Sequence, residues 1–309
     1  MKDLPVTFIR GFTMGAADVV PGVSGGTVAL VYGIYNRLIN AIRNGARAMG
    51  RVAKGDLKGG LAMLKEVEWR FLLPLLAGIL TAVATLSGVI ESLLEDSPVE
   101  MAGLFLGLVL GSVVVAFRLL TSRDALRLAV MALATVATFV LLGLKEGTSE
   151  DAVQQISNPA LWAFFGAGAI AICAMILPGI SGSFLLVTMG MYAPVLASVT
   201  DRDLGNVAVF AAGCVIGLAL FSQVLHWALS NHYNTVMAAL IGLMLGSVRV
   251  LWPWPAGVDS TALEAPADPV VMPLVLAAVG FGVVIAVEVV ARQLEQRTLA
   301  DESDELRSV

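Results

Sequence analysis

The sequence predicts an all-α polytopic membrane protein made of two inverted-topology repeats, each a re-entrant helical hairpin followed by three transmembrane helices. Three observations predict it. With 58% hydrophobic and 14% charged residues and a mean hydropathy of +0.86, the chain holds several windows of 18 or more residues almost free of charge, a pattern of membrane spans and not of soluble domains. A helix-breaking string, PGVSGGT at 21–27, returns as PGISGSF at 178–184. Lysine and arginine gather in alternate loops, as they do on the cytoplasmic side of membranes.

Taken in order, repeat one covers 1–144. Its first apolar stretch begins only after Arg10 and contains Asp18 and Pro21, so no cleavable signal peptide is expected. A hairpin is expected over 8–42, where the limb after the break, 27–36, gives about 15 Å of helix, half the hydrocarbon thickness. Length alone does not separate a hairpin from a crossing. Charge does: the linker 43–70 carries Arg43, Arg47, Arg51, Lys54, Lys58, Lys65 and Arg70, and the N-terminus carries Lys2 and Arg10. Both belong inside, so the motif enters and leaves on one face. Spans at 71–94, 99–120 and 125–144 follow, the last two joined by a few polar residues.

Repeat two covers 159–292, with a hairpin at 159–199, spans at 204–229, 235–251 and 270–290, and a cytoplasmic tail at 293–309. Pro21, Gly22, Ser24, Gly25, Gly33 and Tyr35 recur 157 residues later as Pro178, Gly179, Ser181, Gly182, Gly190 and Tyr192. Gly78, Gly107, Gly111 and Ser112 recur 135 residues later as Gly213, Gly242, Gly246 and Ser247. The offsets differ by 22 residues, about the length of the basic linker that the second half lacks. The loop 253–268 has no Lys or Arg and belongs outside; Arg292, Arg297 and Arg307 place the C-terminus inside with the N-terminus. An odd number of crossings per repeat inverts the second relative to the first.

The motif suits an anion. Pro21 ends one half-helix, and Gly22, Gly25 and Gly26 permit close approach of a ligand. The N–H groups that open the next half-helix then lack internal partners, which within a bilayer requires protein, a watery cavity or a ligand. Ser24 and Thr27 are either caps or anion ligands. Pro178, Gly179, Ser181, Gly182 and Ser183 repeat the arrangement. Two such breaks approaching from opposite sides make a positive site near the midplane, suited to phosphate or carboxylate; the competing reading is a tight turn at each hairpin tip.

The strings GAADVVPGVSGGTVALVYGIY and CAMILPGISGSFLLVTMGMY resemble the two signature regions of a bacterial and archaeal membrane family, once catalogued as a domain of unknown function and now associated with polyprenyl-phosphate transport (the PopT type). The resemblance runs from about residue 8 to 292. It implies return of undecaprenyl phosphate from the outer to the inner leaflet of the cytoplasmic membrane, for reuse in peptidoglycan and other envelope pathways. The identity of the lipid comes from the resemblance alone.

Asp18 stands three residues before Pro21 in an apolar stretch, where an unpaired carboxylate is costly. It either pairs with a base such as Arg10, caps the hairpin, or takes up the H⁺ or Na⁺ that drives transport. Arg37 and Arg118 anchor the inner face or capture phosphate there; Arg249, at an outer span end, meets incoming phosphate or snorkels. Glu288 is four residues from Arg292, a pairing distance. The GLVLGS and GLMLGS segments predict close helix packing. Cys173 and Cys214 lack metal or disulfide spacing and read as buried free thiols. A transporter of a small soluble anion shares every feature but the resemblance. A lipid phosphatase would need a His/Arg/Asp constellation that His226 and His232 do not supply, so no enzyme is expected, and no cofactor. The basic linker lacks the interleaved aromatics of a nucleic-acid surface. Nothing in the sequence speaks to oligomeric state.

Overall fold

The computed structural model describes residues 3–19, 24–144, 156–157, 159–257 and 260–307, and among them every regular element is a helix. Pro21 and Gly22 lie outside the described residues. The first motif region is α1 (Asp3–Asp18), α2 (Gly25–Val31) and α3 (Tyr35–Ala53). The second is α8 (Leu161–Ile176), α9 (Gly182–Thr188) and α10 (Tyr192–Thr200). The short helices α2 and α9 have seven residues each, about 10 Å of rise. They begin 157 residues apart (25 and 182), as do α3 and α10 (35 and 192). Gly33 and Gly190, ahead of α3 and α10, share a φ of +68°, which favours glycine.

The linker is less irregular than its charge predicts, because α3 continues to Ala53 and α4 (Leu57–Glu66) follows, its first turn capped by Asp56 accepting the Gly59 N–H at 2.8 Å. The first three expected spans are α5 (Trp69–Asp96), α6 (Pro98–Arg118) and α7 (Ala125–Leu142), and the last is the start of α12 (Val271–Arg307). The fourth and fifth expected spans form one helical segment. α11 (Leu204–Ser247) with its terminal 3₁₀ turn (Val248–Leu251) runs 48 residues, which straight would reach about 72 Å, over twice the hydrocarbon thickness. The backbone leaves helical geometry at His232 (φ −136°, ψ 42°) and divides it into two limbs. Among the described residues, five helices are therefore long and apolar enough to cross a membrane, against six expected spans.

Four helix pairs form the frame, each closed by glycines. Gly11 and Gly15 of α1 lie on the backbone of Leu75 and Ile79 in α5, and Gly213 and Gly217 of α11 lie on Phe165 and Ala169 in α8. Gly103 and Gly107 of α6 meet Pro273 and Ala277 in α12, while Gly242 and Gly246 of α11 meet Met131 and Thr135 in α7. Residue numbers rise together across each contact, so every pair is parallel. Any side chain at these crossings would overlap backbone, and the close approach gives the packing that holds helices together in lipid. Met14, Ala29, Phe71, Val109, Ile241 and Met244 fill the core between the first motif and α5, α6 and α11. Leu73 and Leu80 of α5, Leu133 of α7 and Val271 of α12 face outward, an apolar perimeter suited to hydrocarbon.

The connections sort to two ends. At one, Leu4, Thr7 and Arg37 share a cavity with residues 65–71, and Asn234, beside the His232 break, accepts the Thr121 N–H at 3.0 Å. At the other, Gly257 sits on Pro98 and Arg249 on Gly143. The segment ahead of α8 is tied to the turn between α9 and α10 by the Ile156 N–H, which donates to the Gly190 carbonyl at 2.9 Å.

Candidate functional site

The two breaks clasp each other inside the bundle. A helix ends with carbonyls that lack helical partners; at the end of α8, hydroxyls of the first motif supply them. Tyr35 donates to the Ile176 carbonyl at 3.1 Å and Ser24 to the Leu177 carbonyl at 3.2 Å. Ser24 has the extended backbone of an N-cap (φ −136°, ψ 146°) but makes no cap bond to α2. Asp18 does so in its place, its carboxylate accepting the Gly25 N–H at 2.6 Å. A Cβ on Gly25 would stand 2.7 Å from the Asp18 Oδ2, so a side chain there would displace that carboxylate. In the second motif Pro178 and Gly179 form the turn, Gly179 with φ +84° against Met244. The Ser181 and Ser183 hydroxyls lie 2.7 Å apart.

Between the motifs is a cavity of about 220 Å³, far above the ~10–15 Å³ that one water needs. Asp18 and Ser24 reach it from the first motif, Ser181, Gly182 and Ser183 from the second, and Met175, Phe210 and Cys214 form an apolar wall. Among the described residues no Lys or Arg lines it, and its polar side chains are three serines and one carboxylate already engaged by a backbone N–H. Such a set hydrogen-bonds an anion once the carboxylate charge is neutralised, and binds a cation while it is not.

The remaining candidates sit elsewhere. Gly26 is buried against the Ile176 carbonyl. Thr27 is 2% exposed, and its hydroxyl has no partner among the described residues. Arg10 stacks over the Tyr32 ring at 5.7 Å. Arg37 is ion-paired to Glu68 at 2.6 Å and lies over Phe71. Arg118 and Arg292 both hold the buried Glu288 carboxylate, joining α6 to α12. Arg249 donates to the Thr261 carbonyl at 3.0 Å and lies over Phe139. The Arg118 contact, the Tyr35 hydroxyl and the apolar wall were not foreseen. Tyr35 had a signal, its recurrence as Tyr192, but its acceptor is 141 residues away. Cys173 and Cys214 are free.

A family model described as VCA0040-like, undecaprenyl phosphate translocase-like, matches residues 14–266. The chain is 41% identical over 249 residues to the polyprenyl-phosphate transporter of Vibrio cholerae, covering 80% of this chain and 77% of that one. It is 28% identical over 258 residues to the polyprenyl-phosphate transporter of Staphylococcus aureus, covering 80% and 86%. No solved structure matches it. Both relatives bear a transporter's name and neither an enzyme's, in line with the chemistry read from the sequence. The matched stretch takes in both motifs and the cavity between them, and the chain belongs to the VCA0040-like, undecaprenyl phosphate translocase-like family.

Proposed function

We propose that this protein is a flippase that returns undecaprenyl phosphate, or a related polyprenyl phosphate, from the outer to the inner leaflet of the bacterial cytoplasmic membrane, so that the lipid carrier is reused in peptidoglycan and envelope synthesis. The observation that carries the reading is the cavity in which Ser24 of one motif faces Ser181 and Ser183 of the other. The named activity of the relatives supports the substrate. The apolar wall of Met175 and Phe210 favours a lipid over a hydrated small anion, the alternative cargo.

The path of a phosphate head group follows from the hydrogen bonds. Ser24 gives up the Leu177 carbonyl and turns to the phosphate, joined by Ser181 and Ser183; each bond to a charged group contributes about 1.5–3 kcal/mol. An ionised Asp18 opposes this, since like charges 4 Å apart repel by about 4 kcal/mol at an effective dielectric of 20. Uptake of H⁺ or Na⁺ by Asp18 removes the repulsion, while its carbonyl oxygen goes on accepting the Gly25 N–H. Ion and lipid therefore travel together. The repeat spacing, the parallel helix pairs and the tie between Ile156 and Gly190 support two re-entrant hairpins in inverted repeats. The basic residues at one end support cytoplasmic termini.

A proteoliposome assay of polyprenyl-phosphate flipping tests the site. Gly25→Val with Gly182→Val should abolish transport, because the added atoms enter the cavity beside Asp18 and Met175. Ser24→Ala should weaken lipid binding by about 1.5–3 kcal/mol and, by taking the donor from the Leu177 carbonyl, lower stability by about 1–3 kcal/mol. Wild-type flipping by the double glycine variant would rule the cavity out.

A further inference from the structure

We propose a second anion site, in the groove between α3 and the first limb of α11, that takes the phosphomonoester head group as it leaves the central cavity. It rests on the transporter reading above and names the inner-leaflet stop of that path. On α3, Asn36, Asn40, Arg43 and Arg47 follow one another at spacings of four, three and four residues, which sets them on one helix face. Facing them are His226 and Ser230, one turn apart on α11, with Nε2 and Oγ 3.4 Å apart. A cavity of about 250 Å³ lies between, lined by Asn36, Asn40, His226 and Ser230 over the buried Ile39 and Leu229. Arg43 and Arg47 lie about one and two turns beyond Asn40 on the same face of α3.

The charge balance gives the ligand class. Among the described residues no carboxylate lines this cavity. Arg43 and Arg47, like Arg10, Arg70, Arg123, Arg202 and Arg249, make no ion pair among the described residues, and of these the two lie on the helix face that borders the cavity. Burial and then the charge of Arg47 hold the Arg43 guanidinium below its ordinary value. Two unneutralised guanidiniums flanking amide, hydroxyl and imidazole groups provide forked N–H donors for phosphate oxygens. A phosphomonoester carries up to two negative charges and matches both arginines; a phosphodiester lipid carries one. The groove shares its end of the bundle with the basic linker, where the charge rule sets the inner leaflet.

Native mass spectrometry of the full chain with undecaprenyl phosphate decides the matter. The Gly25→Val, Gly182→Val protein should still hold one lipid phosphate. Adding Arg43→Gln and Arg47→Gln should weaken that adduct by about tenfold or more, while Arg43→Lys with Arg47→Lys retains most of it and all these proteins unfold at similar temperature. Phosphatidylglycerol and inorganic phosphate at equal concentration should not displace it. An undiminished adduct in the fourfold variant overturns the site. Equal displacement by phosphatidylglycerol marks ordinary annular lipid, and by inorganic phosphate a free-anion site; either overturns the assignment. If wild-type proteoliposomes move no undecaprenyl phosphate, the transporter reading has failed; if they do and the glutamine pair matches the wild-type rate, this site alone has failed.

Discussion

Asp18 caps α2 from seven residues away, across the break, and lines the central cavity with the same carboxylate. Its structural and its proposed coupling role can be separated, because an amide oxygen accepts a hydrogen bond but takes up no proton. Asp18→Asn should keep the Gly25 bond and cost about 1 kcal/mol or less in stability. It should also lose gradient-driven accumulation of polyprenyl phosphate while keeping exchange, since the site is then permanently neutral. Flipping in liposomes under an imposed pH or Na⁺ gradient distinguishes the outcomes. Equal stimulation of wild type and Asp18→Asn by either gradient would exclude Asp18 as the coupling group. At this scale the sequence was only partly legible. Ser24 and Asp18 stood out by type and position, but which of them caps α2 depends on a carbonyl 153 residues from Ser24. The sequence leaves Arg37 between anchoring the inner face and capturing phosphate, because its partner Glu68 arrives only when α3 and α5 meet.

At the scale of elements, helix contacts are set by where a side chain is missing. Gly107 lies against the backbone of Ala277, whereas Gly88 of α5 has nothing within 4 Å of a would-be Cβ. The same substitution should therefore have opposite signs. Gly107→Ala should destabilise by about 1–3 kcal/mol, because two backbones must move apart. Gly88→Ala should be neutral or stabilise by up to about 1 kcal/mol, through helix propensity. Thermal unfolding in detergent compares them; a greater loss at Gly88 would refute the assignment of α6 and α12 as a glycine-closed pair. The recurrence of Gly107 as Gly242 made this packing readable in advance. The continuity of α11 was not. Asn231, His232 and Asn234 read as a polar loop by hydropathy, yet the Asn231 amide donates to the Trp227 carbonyl at 2.7 Å and helix resumes after a single non-helical residue.

At the scale of the whole molecule, charge decides orientation where length cannot. The linker residues Arg43 to Lys65 carry the excess of positive charge, Lys2, Arg10 and Arg292 stand near the two ends of the chain, and the loop 253–268 has no Lys or Arg. Geometry agrees with a division into two ends: Leu4, Arg37 and Arg70 gather around one cavity, whereas Gly257 packs on Pro98 at the other end. A crossing at the first motif would set Leu4 and Arg37 on opposite faces, about 30 Å apart; that both line one cavity supports the proposed hairpin. The proposed topology thus gives a labelling pattern that a simple crossing does not. With Cys173 and Cys214 replaced, a cysteine at Ala262 should react with an impermeant maleimide in intact cells, and one at Gly55 only after permeabilisation. Reaction at Gly55 in intact cells would move the basic linker outside, overturn the hairpin at the first motif, and leave the groove beside Arg43 facing the wrong leaflet for a departing head group.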